Sequence, residues 1–205
     1  MPPAYKTAIR LAQPYLGFMC NLLASPREVG ALCPSSPALT SVLVDTAGVL
    51  GQSTRGLILD LGAGSGVVTG RLLERGVPPE NIVAVDRSQS FADAVRKRFP
   101  RVTVLCEDAC NLVKAIENLS GEERVKLVIS SLPFRSLPSP ARKSVAEAIM
   151  GVLQRQKPYG CLVQYSYFWW DRYPLARYGF VPHSRRFVFW NVPPAVVEMY
   201  TVPPQ

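Results

Sequence analysis

Short apolar runs recur through the middle of the chain and alternate with stretches whose apolar residues return every three or four positions. The runs fall at 57–61, 82–86, 102–105, 125–131 and 160–168, and helical patterns begin near Gly66, Ser90, Ala109 and Pro140. Runs rich in Val, Ile and Leu without strict alternation belong to strands buried on both faces, so the order predicts a parallel sheet with helices on either side. After Phe168 the pattern changes. Segments 187–190 and 196–200 flank Asn191-Val192-Pro193-Pro194, which predicts an antiparallel pair joined by a proline-stiffened turn. The sum is an α/β, doubly wound, mostly parallel seven-stranded sheet with an antiparallel C-terminal strand pair. With no internal repeat and no low-complexity linker, residues 26–205 read as one domain and residues 1–25 as an extension.

That extension is amphipathic. Tyr5, Ala8, Ile9, Ala12, Tyr15, Leu16, Met19, Leu22 and Leu23 follow helical spacing, while Lys6, Arg10, Gln13 and Asn21 lie opposite and Pro14 interrupts. Two readings follow from shape: a helix packed on the domain, or an interfacial helix on anionic lipid with Lys6 and Arg10 near phosphates.

Charge narrows the partners. The chain carries 23 basic and 15 acidic residues, a net +8. From Arg135 onward nine Lys and Arg face only Glu147, Asp171 and Glu198, so +6 of that charge lies in the C-terminal third. A one-sided basic field points to an anionic partner, nucleic acid or lipid. Arg87, Arg96, Lys97, Arg98 and Arg101 form a further basic run, read as a solvated helix face. The five cysteines include no C-x-x-C pair, and with His183 as the single histidine no metal site is expected. Free thiols suit a reducing compartment. No apolar run reaches the roughly 18–20 residues that span a bilayer, and the N-terminus lacks a signal-peptide pattern. The expectation is a cytoplasmic monomer whose membrane contact is peripheral, at the inner face.

The sharpest motif is Leu59-Asp60-Leu61-Gly62-Ala63-Gly64-Ser65-Gly66, between a strand and a helix. Its spacing is G-x-G-x-G, whereas the dinucleotide fingerprint is G-x-G-x-x-G. The difference favours S-adenosylmethionine, which has no pyrophosphate to seat on the helix. Asp86 ends the next strand, where a carboxylate would bind the ribose hydroxyls, and Arg87 follows it. Asp108, followed by Ala109, comes after the third strand and could accept from the adenine amino group. Ser130 ends the fourth. Ligands bind at the carboxyl edge of such sheets, so Asp60, Gly62, Ala63, Gly64, Gly66, Asp86, Arg87, Asp108, Ala109 and Ser130 form the expected cofactor set.

Strand four runs into Ser130-Ser131-Leu132-Pro133-Phe134, which resembles the acceptor motif of amino-group methyltransferases. More widely, Val29-Gly30-Ala31 with Pro34-Ser35-Ser36, the glycine turn continuing to Val67-Val68-Thr69, and Phe99-Pro100 with Asp108-Ala109 resemble bacterial phospholipid N-methyltransferases. So do Ser130-Ser131-Leu132-Pro133 with Arg135-Ser136-Leu137-Pro138, Gln164-Tyr165 with Tyr167, and Asn191 with Pro193-Pro194-Ala195. The resemblance runs from about residue 26 to residue 200. It implies a class I, Rossmann-like methyltransferase acting on phosphatidylethanolamine, stepwise to phosphatidylcholine, and docked on the membrane through the N-terminal helix. Cys33, Leu39-Thr40 and Asp86 depart from the family pattern.

The resemblance further implies that the head group enters over residues 131–135, beneath a segment that includes Gly30, Ser35 and Ser36. Leu132, Pro133 and Arg135 then contact substrate, with Arg135 on the lipid phosphate. Ser131, Tyr165 and Tyr167 are the expected catalytic residues; the two tyrosines leave strand five on one face and border the amine. No strong base stands out, so Asp108 or a tyrosine would relay the proton through water. Two enzymatic alternatives remain open: an RNA adenine N6-methyltransferase, and an enzyme for another aminolipid such as ornithine lipid. A third is a non-catalytic lipid-binding module. The short chain after the last strand pair counts against nucleic acid as the partner.

Overall fold

A computed structural model describes residues 36–48, 56–119, 125–155, 160–167, 172–191 and 194–203. The extension 1–25, Gly30, Ser35, Trp169 and Trp170 lie outside the described residues. Seven strands form one sheet: β1 (Leu57–Leu61), β2 (Ile82–Asp86), β3 (Thr103–Cys106), β4 (Val125–Ser130), β5 (Cys161–Ser166), β6 (Val181–Val188) and β7 (Ala195–Thr201). Their order is β3-β2-β1-β4-β5-β7-β6, with β1 to β5 parallel and β7 antiparallel to both its neighbours. The expected sheet is therefore present.

The helices are α1 (Pro37–Thr46), α2 (Val67–Glu74), α3 (Gln89–Arg98), α4 (Leu112–Glu117) and α5 (Ser139–Gln154). Strand side chains alternate between faces, and each face has its own core. Ile58, Ala84, Ile129, Val163 and Val197 pack with Leu39 and Leu43 of α1, Val68 and Leu72 of α2, and Val95 of α3. Leu59, Leu61, Val85, Val128, Leu162 and Tyr200 pack with Leu112 of α4, Val145, Ile149 and Leu153 of α5, and Leu175.

Two elements depart from the expectation. α1 had no periodic signal of its own. Its start is set by Ser36, whose Oγ accepts from the Leu39 amide at 3.1 Å, and by Pro37 in the first turn. β6 begins at Val181, six residues before the expected 187. It is an edge strand with most positions exposed, so it carries no apolar alternation; Pro182 is tolerated at the edge, and the ladder shifts register around His183.

At this end of the sheet a buried ion pair replaces apolar packing. Arg185 Nε of β6 lies 3.2 Å from Glu198 Oε1 of β7, and both side chains are buried. Glu198 also accepts from the Tyr200 hydroxyl at 2.7 Å and from the Tyr173 amide at 3.1 Å. Tyr173 sits at φ +53, a left-handed conformation uncommon for a bulky residue, and the Glu198 bond holds it there. Burial and Glu198 push the Tyr200 hydroxyl up, so it stays a neutral donor.

Candidate active site

In this order the chain leaves β1 for β2 on one side, while β4 lies on the other. Loops after β1 and β4 thus diverge at the carboxyl edge, the place where open α/β sheets bind ligands. The expected cofactor and acceptor motifs are these two loops.

The β1 loop is held from β2. The Gly62 and Ala63 amides donate to the Val85 carbonyl at 2.8 and 3.1 Å. Asp86 stands at the end of β2 and uses both oxygens: Oδ2 accepts the Gly64 amide at 2.8 Å, Oδ1 the Ser88 amide at 2.9 Å. Each oxygen keeps lone-pair capacity for a ribose hydroxyl. Arg87 is exposed beside it. The glycines do different work. At Gly62 (φ +77) an added Cβ would lie 2.9 Å from Leu132 Cδ2, so this glycine lets the two loops meet. At Gly66 it would lie 3.0 Å from the Phe99 ring, a matter of helix packing. Only around Gly64 does a Cβ find open space, its nearest neighbour being the Gly62 carbonyl at 4.0 Å.

Asp60 is wholly buried beneath this turn. Its Oδ2 accepts from the Thr69 hydroxyl at 2.5 Å, and its Oδ1 has no partner among the described residues. Burial pushes its carboxyl up from 3.8 to about 6, although the Thr69 hydrogen bonds oppose the rise. A buried, half-satisfied carboxylate below an open glycine cradle fits a cationic ligand with N–H donors, as S-adenosylmethionine is. A folded-state value above the unfolded one gives stability that is complete below 3.8 and lost as pH rises through about 6. The unfolding free energy of Asp60→Asn, relative to the parent, should therefore change by roughly 2.5 kcal/mol between pH 4 and pH 8. An equal difference at both pH values would refute the burial effect.

Asp108 is exposed, and its Oδ1 caps the Ala109–Asn111 turn by accepting from the Cys110 amide at 2.9 Å. It follows the carboxyl end of β3. Ser36, expected near substrate, uses its hydroxyl to cap α1.

The acceptor loop is tied to the donor loop by the Ser131 amide, which donates to the Leu61 carbonyl at 2.8 Å. Ser130, Leu61 and Gln164 share one row across the sheet. Phe134 is buried in the α5 core, edge-on to Tyr178 at 6.1 Å. Its ring anchors the loop in that core. Arg135 is exposed on the Phe134–Ser136 turn, and Pro133 is also exposed. Tyr165 and Tyr167 meet edge-on at 5.4 Å, on the α1 face.

The Gln164-Tyr165 segment adds a residue to this site to which the sequence motifs assign no role. Gln164, 7% exposed, donates from Nε2 to the Leu132 carbonyl at 3.2 Å. That carbonyl also accepts from the Phe134 amide at 2.8 Å, so both its lone pairs are engaged. Gln164 Oε1 is buried without a partner among the described residues. A polar residue two positions from the end of a buried strand was the available signal.

Residues 58–156 match the methyltransferase domain family. The chain is 27% identical over 181 residues to an ornithine lipid N-methyltransferase of Singulisphaera acidiphila, covering 87% of this chain and 91% of that protein. It is 32% identical over 120 residues to ribosomal RNA small subunit methyltransferase A of Anaeromyxobacter dehalogenans, covering 55% of this chain and 41% of that protein. In fold it is similar to the Burkholderia thailandensis 1,6-didemethyltoxoflavin-N1-methyltransferase, solved with 1,6-didemethyltoxoflavin and S-adenosylhomocysteine bound. The TM-score is 0.56 at 18% identity, over 98% of this chain and 91% of that one. The chain has the class I methyltransferase fold and is an S-adenosylmethionine-dependent methyltransferase.

Proposed function

We propose that this enzyme methylates the primary amine of a membrane aminolipid, phosphatidylethanolamine being the acceptor that its motifs favour. What supports this most is the loop at Ser131 and Leu132, which resembles an amine-acceptor motif and packs against the glycine turn at Gly62. S-adenosylmethionine supplies an electrophilic methyl on a sulfonium. Attack is in line, so the amine must present its lone pair about 3 Å from that methyl. In this proposal Ser131 orients the amine, and Gln164 Oε1, buried and unsatisfied, accepts one of its N–H groups. Tyr165 and Tyr167 face the developing ammonium with their rings. A dry site lowers the amine's pKa and so favours the neutral nucleophile. Arg135 pairs with the anionic part of the head group.

Ornithine lipid is the second acceptor, favoured by the relative that aligns along most of both chains. Its head group offers a carboxylate in place of phosphate, which a guanidinium also binds. Membrane attachment through residues 1–25 and a monomeric, cytoplasmic enzyme belong to the same proposal. Among the described residues no helix is long and apolar enough to cross a membrane.

Incubation with labelled S-adenosylmethionine and vesicles of each lipid tests the acceptor, and label confined to RNA would overturn it. Arg135→Ala should raise the KM for lipid about tenfold and leave cofactor affinity unchanged, the loss of one charge-assisted pair. An unchanged KM would remove Arg135 from head-group binding.

A further inference from the structure

The largest exposed apolar side chains of the described residues cluster at one place. Phe187, Phe189 and Trp190 are 49%, 73% and 89% exposed, all at the end of β6 or in the turn that follows it. Phe187 and Phe189 stack on each other, with centroids 5.9 Å apart and an interplanar angle of 14°. The Arg185 guanidinium lies over Phe187 at 5.2 Å, and Arg186 is exposed. A tip of this composition is costly in water unless something covers it.

Its place in the sheet gives it a direction. β7 is antiparallel to both β5 and β6, so β6 runs parallel to β5. Phe187 and Ser166, the last residue of β5, both pair with Val196. The turn beyond Val188 therefore projects from the same edge as the Gly62 and Ser131 loops. Any surface that receives the aromatic tip also faces the active site.

Charge selects the surface. The only acidic residue in the described part of this hairpin, Glu198, is buried against Arg185, so what the hairpin exposes is basic and aromatic. Aromatic rings with an exposed arginine behind them suit the head-group layer of an anionic bilayer: the rings enter the interface and the Arg186 guanidinium stays with the phosphates. RNA would also accept arginine and aromatic rings. Here, however, the two phenylalanines stack on each other and form one continuous apolar surface, not separate platforms for bases.

We infer that the β6–β7 hairpin tip, Phe187, Phe189 and Trp190 backed by Arg186, is a membrane-docking element that seats the active-site edge on an anionic lipid surface. The preference for lipid over RNA rests on the aminolipid function proposed above.

The test uses the full chain with Trp169→Phe and Trp170→Phe, which leaves Trp190 as the single tryptophan of the three. It is mixed with phosphatidylcholine–phosphatidylglycerol vesicles carrying brominated acyl chains and no acceptor amine. Trp190 emission should shift to the blue and lose at least half its intensity. In the otherwise native chain, Phe189→Ser with Trp190→Ser should weaken vesicle partition at least tenfold and leave S-adenosylmethionine affinity unchanged. Unquenched Trp190 emission, or partition within twofold of the parent, overturns the inference. So does emission that responds to single-stranded RNA and not to vesicles. Methyl transfer to a short-chain, water-soluble phosphatidylethanolamine is measured in parallel. It should be unchanged in the double variant, and it scores the acceptor assignment independently of docking.

Discussion

Gly62→Val should lower kcat about 100-fold or more while the chain still folds. The residue sits at φ +77, where a β-branched side chain costs roughly 1–2 kcal/mol. The larger effect lies across the loop. A Cβ there would press on the Leu132 side chain at 2.9 Å and on its backbone nitrogen at 3.4 Å, and the backbone cannot swing aside as a side-chain tip can. Leu132 follows Ser131, whose amide is bonded to Leu61, so the strain falls on the link between donor and acceptor loops. A displacement near 1 Å between reacting groups costs on the order of 100-fold in rate. Circular dichroism should match the parent, cofactor affinity should weaken, and turnover at saturating cofactor should carry most of the loss. Turnover within threefold of the parent would show that the two loops are not coupled through this contact.

Glu198→Ala should be strongly destabilising, at about 3–5 kcal/mol, because it removes a buried carboxylate that faces Arg185 and accepts two hydrogen bonds. Two donors, the Tyr200 hydroxyl and the strained Tyr173 amide, lose their acceptor together, and Arg185 loses the carboxylate it faces. A domain's whole stability is about 5–15 kcal/mol, so the variant should sit near the edge of folding. The double change Arg185→Met with Glu198→Leu should recover part of the loss, since it removes the charge together with its carboxylate but leaves the Tyr200 and Tyr173 donors without their acceptor. Urea midpoints at constant slope measure both. A Glu198→Ala midpoint within 1 kcal/mol of the parent, by the same measure, would mean that the pair contributes little.

What the sequence made legible follows burial. β1, β2 and β4 are covered on both faces, so their apolar runs marked them to within a residue. The glycine turn and Asp86 were visible because turn chemistry is local, and Asp86 does hold that turn through the Gly64 amide. β6 was shortened because an exposed edge strand has no apolar face to announce it. α1 was missed because its signal was a Ser-Pro cap with no extended period behind it. Contacts distant in sequence left no local trace. Gly62 meets Leu132 across 70 positions, Gln164 bonds back to Leu132, and Glu198 pairs with Arg185 across a hairpin. Phe134 belonged to a recognisable motif, yet its ring turns into the core, because a half-apolar loop gains more from burying an aromatic than from exposing it.

Methyl transfer to a membrane amine is tested most directly by the fate of labelled methyl in a mixture. The full chain, labelled S-adenosylmethionine, total RNA and vesicles holding phosphatidylethanolamine and ornithine lipid are incubated together, and the label is followed by thin-layer chromatography of the lipids and precipitation of the RNA. The expected result is label on the nitrogen of an aminolipid, reduced at least tenfold in Gly62→Val. Label in the RNA, with none in either lipid, would contradict it.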